Sequence, residues 1–352
     1  MDKIRVGMIG AGMIADSHCA GINEHPKAKV VAIADLSAER RKAIKDRHGL
    51  EKDFEKWAEL LADPDIDAVS IALPNALHAP VALAALKSGK HVMLDKPFAL
   101  NHGEASKVIQ AAEKAGKVFM LGMNQRFTHE GQTIRALVKR GDLGEIYHAK
   151  AFWIRRAGSP KFGTWFCRKD LAGGGSMMDI GVHVLDLCMH LMGNFKPAAV
   201  SAAAYTKLCN HGFGEGGWGL SDRGKNLFDV DDFATALIKF ENGATVQLDS
   251  SWALHQNEGD LHNVKLYGTA GGASVWPARL YRPGKKPGEY EIVEPQGVAL
   301  PYPHGNRFMN WIDTILRKDK PMCTPAEALA VQKILDAIYA SSDSGKEVRI
   351  KG

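Results

Sequence analysis

Short apolar runs alternate with longer charged or amphipathic segments through the first third of the chain. An apolar run of four to eight residues that is bounded by polar residues predicts a buried strand. The predicted strands lie at residues 4–9, 30–34, 66–73, 91–94 and 118–121. Strands separated by segments of helical length are typical of a parallel, doubly wound α/β sheet with right-handed crossovers.

The segments between these strands carry the signals that begin and end helices. Residues 37–48 and 102–115 predict helices, with Ser37 and Asn101 in the N-cap position. A further helix is predicted at residues 76–88. Gly89 follows the helix predicted at 76–88, and Gly116 follows the one at 102–115. Both are in the place where a left-handed residue ends a helix. The first third of the chain therefore predicts regular strand–helix units.

From about residue 145 the apolar pattern changes to longer, alternating runs. Such runs predict an antiparallel or mixed sheet. They lie at residues 146–154, 199–206, 232–240, 244–254, 264–267 and 348–350. Glu-Asn-Gly at 241–243 indicates a hairpin. We expect helices to cover one face of this sheet. The other face carries Thr245, Gln247 and Asp249 or their neighbours, and we expect it to pair with a second copy of the chain, as a dimer or tetramer.

One helix, predicted at residues 173–193, interrupts the strands, and two more are predicted at residues 304–317 and 325–342, with Thr324 capping the last. The glycine-rich segment 209–226 predicts a long loop. This loop either covers a site or reaches a neighbouring subunit, or it is a flexible surface loop. The sequence leaves these interpretations open.

Composition and charge narrow the possible functions. The 45 basic and 40 acidic residues are interspersed, and a net charge of +5 is too small to indicate nucleic-acid binding. Five widely spaced cysteines do not predict a disulfide framework or a zinc site. No apolar run reaches the ~20 residues of a membrane helix, and the first strand leaves no room for a signal peptide. We therefore expect a cytoplasmic protein with neither a membrane nor a nucleic-acid partner.

The turn after the first strand predicts a dinucleotide site. Residues 10–15 read Gly-Ala-Gly-Met-Ile-Ala, and the second strand ends at Asp35. Gly10 permits a tight turn, Gly12 lets the backbone approach a pyrophosphate at a helix N-terminus, and Asp35 accepts hydrogen bonds from the adenosine ribose. An ordinary strand-to-helix turn would leave the position of Asp35 unexplained.

The acid at the end of the second strand bears on the choice between NAD and NADP. Asp35 would repel a 2′-phosphate, which favours NAD as the cofactor. Ser37, Arg40 and Arg41 follow closely and offer a place for that phosphate, so NADP stays an alternative.

Three strand ends converge on the ligand-binding edge expected of a parallel sheet. They are Gly10–Gly12, Pro74-Asn75 and Asp95-Lys96-Pro97. Lys96 precedes a proline and therefore cannot continue a helix. It is either a partly buried lysine with a lowered pKa or a solvated surface lysine, and its position does not decide between the two.

The helix predicted after three glycines carries Asp179, His183 and Asp186 at spacings that place them on one face. Three interpretations are open. The histidine is a catalytic base paired with an acid, or a core histidine bound to one of the two acids, or one of three ligands of a divalent ion. No other cluster of histidines and acids has helpful spacing, which disfavours a metal.

These motifs together resemble the glucose-fructose oxidoreductase / inositol dehydrogenase / rhizopine catabolism (Gfo/Idh/MocA) family. The resemblance covers nearly the whole chain. It rests on residues 10–15, 74–78, 89–97 and 173–186. The family usually has Glu-Lys-Pro where this chain has Asp95-Lys96-Pro97, which keeps the charge and the lysine. Ala15 replaces the third glycine of the fingerprint.

The resemblance implies two domains: an NAD(P)-binding Rossmann domain at residues 1–123 and an α+β domain at residues 124–352 with an open-faced, largely antiparallel sheet. C-terminal helices that pack back on the first domain are compatible with this division. The resemblance also implies substrates that are mostly sugars, polyols or their derivatives.

The motif match implies a set of site residues. The catalytic residues would be Lys96, Asp179 and His183. The cofactor-binding residues would be Gly10, Gly12, Met13, Ile14, Asp35, Pro74, Asn75, His78, Asp95 and Lys96. For the substrate, tryptophan faces suit sugar C–H surfaces and arginines suit hydroxyl or acid groups, although each tryptophan taken singly is better explained as a core or interface residue. The substrate-binding residues would be Lys96, Asn124, Trp153, Arg155, Trp165, Arg168, Asp179 and His183.

The hypothesis is an NAD(P)-dependent dehydrogenase that interconverts a secondary alcohol and a ketone. His183 removes the hydroxyl proton, Asp179 orients it, and Lys96 holds the oxygen, although the lysine is equally able to carry the proton. Two alternatives remain. One is a glycoside hydrolase that retains NAD and acts by transient oxidation, and the other is a non-catalytic NAD(H) sensor.

Overall fold

The computed structural model describes residues 3–220, 228–303 and 305–351 of the chain. It divides into two compact units. The first comprises Met1–Met123, Asp170–Ala172 and Gly305–Leu329, and the second comprises Asn124–Lys169, Gly173–His304 and Ala330–Gly352. The first unit therefore includes two segments from beyond residue 123, which a single boundary after that residue does not include.

The first unit contains a six-stranded parallel sheet flanked by helices. Its elements are β1 Ile4–Ile9, α1 Ala15–Asn23, β2 Ala28–Ala34, α2 Ala38–His48, β3 Lys52–Phe54, α3 Trp57–Ala62, β4 Ala68–Ile71, α4 His78–Lys87, β5 His91–Leu94, α5 His102–Ala115 and β6 Phe119–Leu121. The strand order is β3-β2-β1-β4-β5-β6, and every pair is parallel. The doubly wound α/β sheet predicted from the sequence is confirmed.

The helix signals of the first unit act as predicted. Ser37 Oγ accepts a hydrogen bond from the Arg40 amide, and Asn101 Oδ1 accepts one from the Glu104 amide. Gly116 ends α5 with a left-handed φ of 60°. The sequence analysis missed β3 and α3, because a three-residue strand and a six-residue helix are too short to show a period.

The second unit contains a nine-stranded sheet. The elements between residues 124 and 303 are α6 His129–Arg140, β7 Ile146–Arg155, α7 Lys169–Ala172, α8 Val182–Met192, β8 Pro197–Tyr205, β9 Phe233–Phe240, β10 Thr245–Ser251, β11 Asp260–Gly268, β12 Gly272–Ser274, β13 Arg279–Pro283 and β14 Tyr290–Val293. Three further elements follow: α9 Arg307–Ile315, α10 Pro325–Ser344 and β15 Val348–Arg349. The strand order is β14-β13-β12-β11-β7-β10-β9-β8-β15.

This sheet is largely antiparallel, as predicted, and β7 and β10 form its parallel pair. The predicted hairpin joins β9 to β10, with Lys239 opposite Thr245. Side chains alternate as expected: Val246 and Leu248 are buried, whereas Gln247 is exposed on the opposite face. The pairing of that face with a second copy of the chain stays a prediction.

Some predicted boundaries were wrong. β11 begins at Asp260, four residues before the predicted strand, because its first residues are polar and do not read as an apolar run. α9 begins at Arg307, and His304, the predicted first residue of that helix, lies outside the described residues. The same is true of residues 221–226 of the predicted loop.

Candidate active site

The glycine turn after β1 has the shape that a dinucleotide needs. Gly10 has a φ of 99°, and a Cβ at this position would overlap the Ala72 carbonyl oxygen. A Cβ added at Gly12 would meet nothing within 4 Å. α1 begins three residues later without a side-chain cap, so its first amides are not satisfied by a capping side chain. These features fit a pyrophosphate at the helix N-terminus.

Asp35 is held in place at the end of β2. Its Oδ2 accepts the Ala11 amide at 2.8 Å, and its Oδ1 accepts the Ser37 amide at 2.8 Å. Arg40 donates to the same Oδ1 at 3.2 Å. The carboxylate thus ties the glycine turn to the end of the second strand, where a ribose is expected.

The two arginines after Asp35 are already paired with carboxylates. Arg40 lies 3.2 Å from Asp35, and Arg41 lies 3.3 Å from Asp53. Arg41 also donates to the Asp35 carbonyl oxygen at 2.5 Å. This pairing leaves little positive charge for a 2′-phosphate and therefore favours NAD over NADP.

Large apolar side chains are exposed along this same edge of the first sheet. Met13 is 55% exposed and Leu36 is 78% exposed, while Ile14 and Leu77 are also exposed. Each of them follows the carboxyl end of β1, β2 or β4. An apolar edge beside an open glycine turn is expected where a flat cofactor covers it. Neither Leu36, which lies in no motif, nor Leu77, which lies within the 74–78 motif, was among the predicted cofactor-binding residues.

Asn75 and His78, which follow β4, contact backbone carbonyl oxygens near this edge of the sheet. His78 is buried, and its ring nitrogens lie 2.8 Å from the Leu73 carbonyl oxygen and 2.7 Å from the Pro97 carbonyl oxygen. Asn75 Nδ2 donates to the Ala172 carbonyl oxygen at 2.7 Å. Both side chains hold backbone segments in position, so their expected contribution to a cofactor site comes through the loops that they fix.

A buried polar cluster lies behind the end of β5. Arg307 donates to His18 Nε2 at 3.1 Å, and His18 Nδ1 lies 2.9 Å from Ser70 Oγ. Arg307 also lies 3.8 Å from Asp95, the residue before Lys96. Lys96 is itself half-buried. Sequence patterns did not predict this cluster, because its members lie far apart along the chain.

In the second unit, Asp231 holds the glycine-led segment that precedes α8. Its carboxylate accepts hydrogen bonds from the Gly175 amide, the Ser176 hydroxyl and the Met177 amide, at 2.7, 2.9 and 3.0 Å. Tyr339 donates to the same carboxylate at 2.7 Å. A Cβ at Gly175 would overlap the Asp231 carbonyl oxygen. The glycine is therefore required by this close approach.

The helix that carries the catalytic candidates differs from the predicted single helix. Met177–Gly181 forms a π-helical turn, in which the Val182 amide reaches back to the Met177 carbonyl oxygen, and α8 begins only at Val182. Such turns are frequent at functional sites. Asp179 lies within this turn and is 9% exposed. Its Oδ2 accepts the indole N–H of the fully buried Trp252 at 3.0 Å.

Asp186, three residues after His183 on α8, is not among the residues that line the cavity described below. Asp186 is buried and forms a two-pronged pair with the buried Arg126, at 2.8 and 2.6 Å. Within the described ranges, no three histidine, cysteine or acidic side chains are grouped as metal ligands.

A cavity of about 480 Å³ opens beside Asp179 and His183 in the second unit. This volume lies within the roughly 300–1,000 Å³ of small-molecule sites. Its lining residues are Trp153, Arg155, Ala157, Gly158, Asp179, Ile180, His183, Gly216, Gly217, Trp218, Gly259 and Asp260. Four predicted substrate residues, Trp153, Arg155, Asp179 and His183, thus share one cavity.

The glycine-rich loop forms part of the cavity wall. Trp218 donates from its indole to the Gly158 carbonyl oxygen at 3.0 Å, and Gly216 and Gly217 line the space beside it. Residues 216–218 of the loop therefore line the cavity, and contact of the loop with a neighbouring subunit stays a prediction. Sequence reasoning singled out the loop but did not identify Trp218.

Asp260 is the second lining residue that the sequence analysis missed. It begins β11, directly opposite Arg155 of β7. Its Oδ1 accepts the Trp153 indole N–H at 2.9 Å, and its Oδ2 lies 3.1 Å from Arg155 Nε. The pairing depends on strand register, which composition and motifs do not reveal.

Four predicted substrate residues do not line this cavity: Lys96, which belongs to the first unit, and Asn124, Trp165 and Arg168 of the second. Trp165 stacks on Phe166 with ring centroids 3.7 Å apart, and Arg168 is exposed. Asn124 lies at the start of the second unit, where its buried Oδ1 accepts no hydrogen bond from the described residues. Asn124, Trp165 and Arg168 therefore lie outside the cavity that Trp153, Arg155, Asp179 and His183 line.

Comparison with known proteins identifies the family. A profile described as the oxidoreductase family with an NAD-binding Rossmann fold matches residues 4–123, and the GFO/IDH/MocA C-terminal domain matches residues 132–274. The chain belongs to the Gfo/Idh/MocA family of oxidoreductases. This confirms the predicted resemblance, the nicotinamide cofactor NAD and the assignment as an NAD-dependent oxidoreductase.

Individual members of the family are similar over the full chain. D-glucoside 3-dehydrogenase of Escherichia coli (strain K12) is 30% identical over 353 residues, covering 99% of this chain and 97% of that protein. The structure of GenD2 from gentamicin A biosynthesis in complex with NAD has a TM-score of 0.81 at 26% identity and covers 100% of this chain and 97% of its own.

The structure of levoglucosan dehydrogenase in complex with NADH and levoglucosan has a TM-score of 0.86 at 23% identity. The match covers 100% of both chains and shows the same fold.

Among the described residues, no helix has both the length and the apolar character that a bilayer crossing requires.

Proposed function

We infer that this oxidoreductase interconverts a secondary alcohol and a ketone on a sugar, a polyol or a sugar derivative. The observation that carries this inference is the cavity in which Asp179 and His183 share one space with Trp153 and Trp218. An indole face is apolar and flat, and it matches the C–H face of a sugar ring. The similarity to D-glucoside 3-dehydrogenase supports the same class of substrate.

The proposed roles follow from the chemistry of each side chain. His183 removes the hydroxyl proton as a general base. Asp179, which Trp252 holds through a hydrogen bond of 3.0 Å, orients the imidazole and stabilises its charged form. The Lys96 ammonium holds the substrate oxygen and offsets the negative charge that develops there. Lys96 is equally suited to carry the proton.

The cofactor completes the reaction. Bound NAD would supply the acceptor for the hydride of the carbinol carbon, and the balanced reaction would convert alcohol and NAD into ketone, NADH and one proton. The residues proposed to hold it are Gly10, Gly12, Met13, Ile14, Asp35, Pro74, Asn75, His78, Asp95 and Lys96. Gly12 and Asp35 would contact NAD directly. The space beside Gly12 is open, and the Asp35 carboxylate is held next to the glycine turn by the Ala11 amide. Asn75 and His78 would act through the backbone segments that they brace.

The test is a panel of sugars, glycosides and polyols incubated with the protein and NAD, with NADH absorbance and free-sugar release both measured. We expect NADH to accumulate with at least one sugar or glycoside, together with a ketone product. Release of free sugar without NADH would instead indicate a hydrolase that retains NAD. NAD binding without any turnover on the panel would overturn the proposed activity.

A further inference from the structure

We propose that the cavity selects uncharged sugars, and that Asp260 sets this selectivity by neutralising Arg155. This inference rests on the proposed function, because it concerns the substrate class of the same site. A sugar acid or a sugar phosphate needs a cation that is not already paired. The contacts of Arg155 decide whether the cavity offers one.

Arg155 is engaged on several sides. Its Nε lies 3.1 Å from Asp260 Oδ2, and its Nη1 donates to the Gly158 carbonyl oxygen at 3.4 Å. The guanidinium lies 5.2 Å from the ring centroid of Trp153, a cation–π distance. The side chain of Arg155 is only 19% exposed. Its charge is therefore balanced and largely covered before any substrate arrives.

The charge balance of the wall opposes an anion. Among the described residues that line the cavity, Arg155 is the one lysine or arginine, whereas Asp179 and Asp260 are both acids. Asp179 accepts the neutral indole N–H of Trp252. Within this lining, a carboxylate or phosphate would meet two acids and an arginine that is already paired with one of them.

The neighbouring histidine does not change this balance. His262 stacks on Trp153 with ring centroids 4.9 Å apart, and its Nδ1 lies 3.8 Å from Asp260. Burial lowers the pKa of His262, and the nearby Arg155 lowers it further, although Asp260 raises it. At neutral pH the ring is therefore uncharged, and it provides an aromatic support for Trp153.

Asp260 also fixes the tryptophan against which the sugar would lie. Its Oδ1 accepts the Trp153 indole N–H at 2.9 Å, so one carboxylate holds both the aromatic wall and the cation. Its remaining lone pairs are available for sugar hydroxyl groups, which donate hydrogen bonds to carboxylates. An uncharged sugar with several hydroxyl groups fits these donors and acceptors.

The experiment compares matched pairs of neutral and acidic substrates, such as methyl β-glucoside with methyl β-glucuronide and galactose with galacturonate. Wild-type protein and three variants are assayed with NAD: Asp260→Asn, Arg155→Gln and the double variant. Asp260→Asn keeps an acceptor for Trp153 but leaves Arg155 unpaired. We expect this change to raise the acid-to-neutral ratio of kcat/KM by about tenfold.

The other two variants predict the direction in which the acid-to-neutral ratio of kcat/KM changes. Arg155→Gln removes the cation and leaves Asp260, so the ratio should fall below that of wild type. The double variant removes both charges and should return the ratio to within about threefold of wild type. Glu291→Gln is the matched control, because it breaks a carboxylate–arginine pair with Arg282 on β13 and β14, outside the cavity. It should leave the ratio unchanged.

The outcomes separate the two claims. Wild-type preference for the acid of a pair, or an unchanged ratio in Asp260→Asn, overturns the role of Asp260 and leaves the dehydrogenase activity intact. Absence of turnover with every sugar overturns the proposed function and this inference with it. If Asp260→Asn fails to fold, as judged by its thermal unfolding, the fall predicted for Arg155→Gln decides the question.

Discussion

Trp252 Nε1 donates a hydrogen bond to Asp179 Oδ2 across 3.0 Å. Trp252 comes directly after β10 and is fully buried, and it packs beside Ile180 of the π-turn. The sheet thereby fixes the orientation of the carboxylate next to the proposed base. Trp153, Arg155 and Asp260 lie on strands of this same sheet. Asp179 lies in the π-turn against which Trp252 packs.

Replacement of Trp252 by Phe removes this donor and keeps an aromatic side chain. We expect kcat to fall by about tenfold, with KM for the sugar changed less than threefold, because Asp179 would orient His183 less well. The free energy of unfolding should fall by about 1–3 kcal/mol, since a buried acceptor loses its partner. Steady-state kinetics and denaturant unfolding measure both effects.

Trp311→Phe is the control for this variant. Trp311 is also fully buried, but it belongs to the first unit, and its indole N–H has no hydrogen-bond partner among the described residues. Its replacement should change kcat by less than twofold. An equal loss of kcat in both variants would mean that the Trp252 effect is merely structural.

Stability at acidic pH should depend on His18. Because Arg307 always donates, His18 Nε2 must accept, and the proton on Nδ1 is then donated to Ser70. Burial, aided by Arg307, lowers the pKa of His18 from 6.5 to about 3. Between these values the unfolded chain binds a proton that the folded protein excludes. The free energy of unfolding should therefore decrease as the pH falls from 6.5 towards 3, by about 1.4 kcal/mol per pH unit.

The His18→Asn variant tests this contribution. It should be less stable than wild type at pH 7, and its stability should fall less steeply between pH 7 and pH 5, as measured by urea unfolding. The exposed His129, replaced in the same way, serves as the comparison. A pH slope in His18→Asn as steep as that of wild type would show that His18 does not carry the effect.

Cofactor choice should change when Asp35 is replaced. Asp35→Ser removes the carboxylate that repels a 2′-phosphate and leaves Arg40 unpaired. We expect the NADP-to-NAD ratio of kcat/KM to rise by at least about tenfold. Asp16→Ser removes a carboxylate that pairs with Arg47 and His48, and it should leave the ratio unchanged. An unchanged ratio in Asp35→Ser would remove this residue from the ribose site.

Filling the cavity should weaken sugar binding. A Cβ added at Gly217 meets nothing within 4 Å, and its backbone is not in the left-handed region, so larger side chains fit there without strain. We expect Gly217→Ala to raise KM for the sugar slightly and Gly217→Leu to raise it about tenfold or more. KM for NAD and the unfolding midpoint should stay near their wild-type values. A normal sugar KM in Gly217→Leu would place the substrate elsewhere.

The sequence predicted those features whose chemistry is local. The roles of Gly10 and Asp35 follow from residues that are near one another in one strand–turn–helix–strand unit. Asp260 and Trp153 lie 107 positions apart and meet only through the register of β7 and β11. The π-turn at Met177–Gly181 and the pairing of Asp186 with Arg126, 60 positions earlier in the chain, are likewise not visible in helical spacing. Tertiary pairing and local irregularity thus limit what a pattern of residues can predict.

The catalytic role of Lys96 is the central claim, and one measurement tests it most directly. NADH formation from the best sugar is compared for wild type, Lys96→Ala and Lys87→Ala, an exposed lysine of α4, while NAD binding is measured by calorimetry. Lys96→Ala should lose at least about a thousandfold in kcat and still bind NAD within threefold of wild type, and Lys87→Ala should match wild type in both. Near-normal turnover by Lys96→Ala would contradict the account.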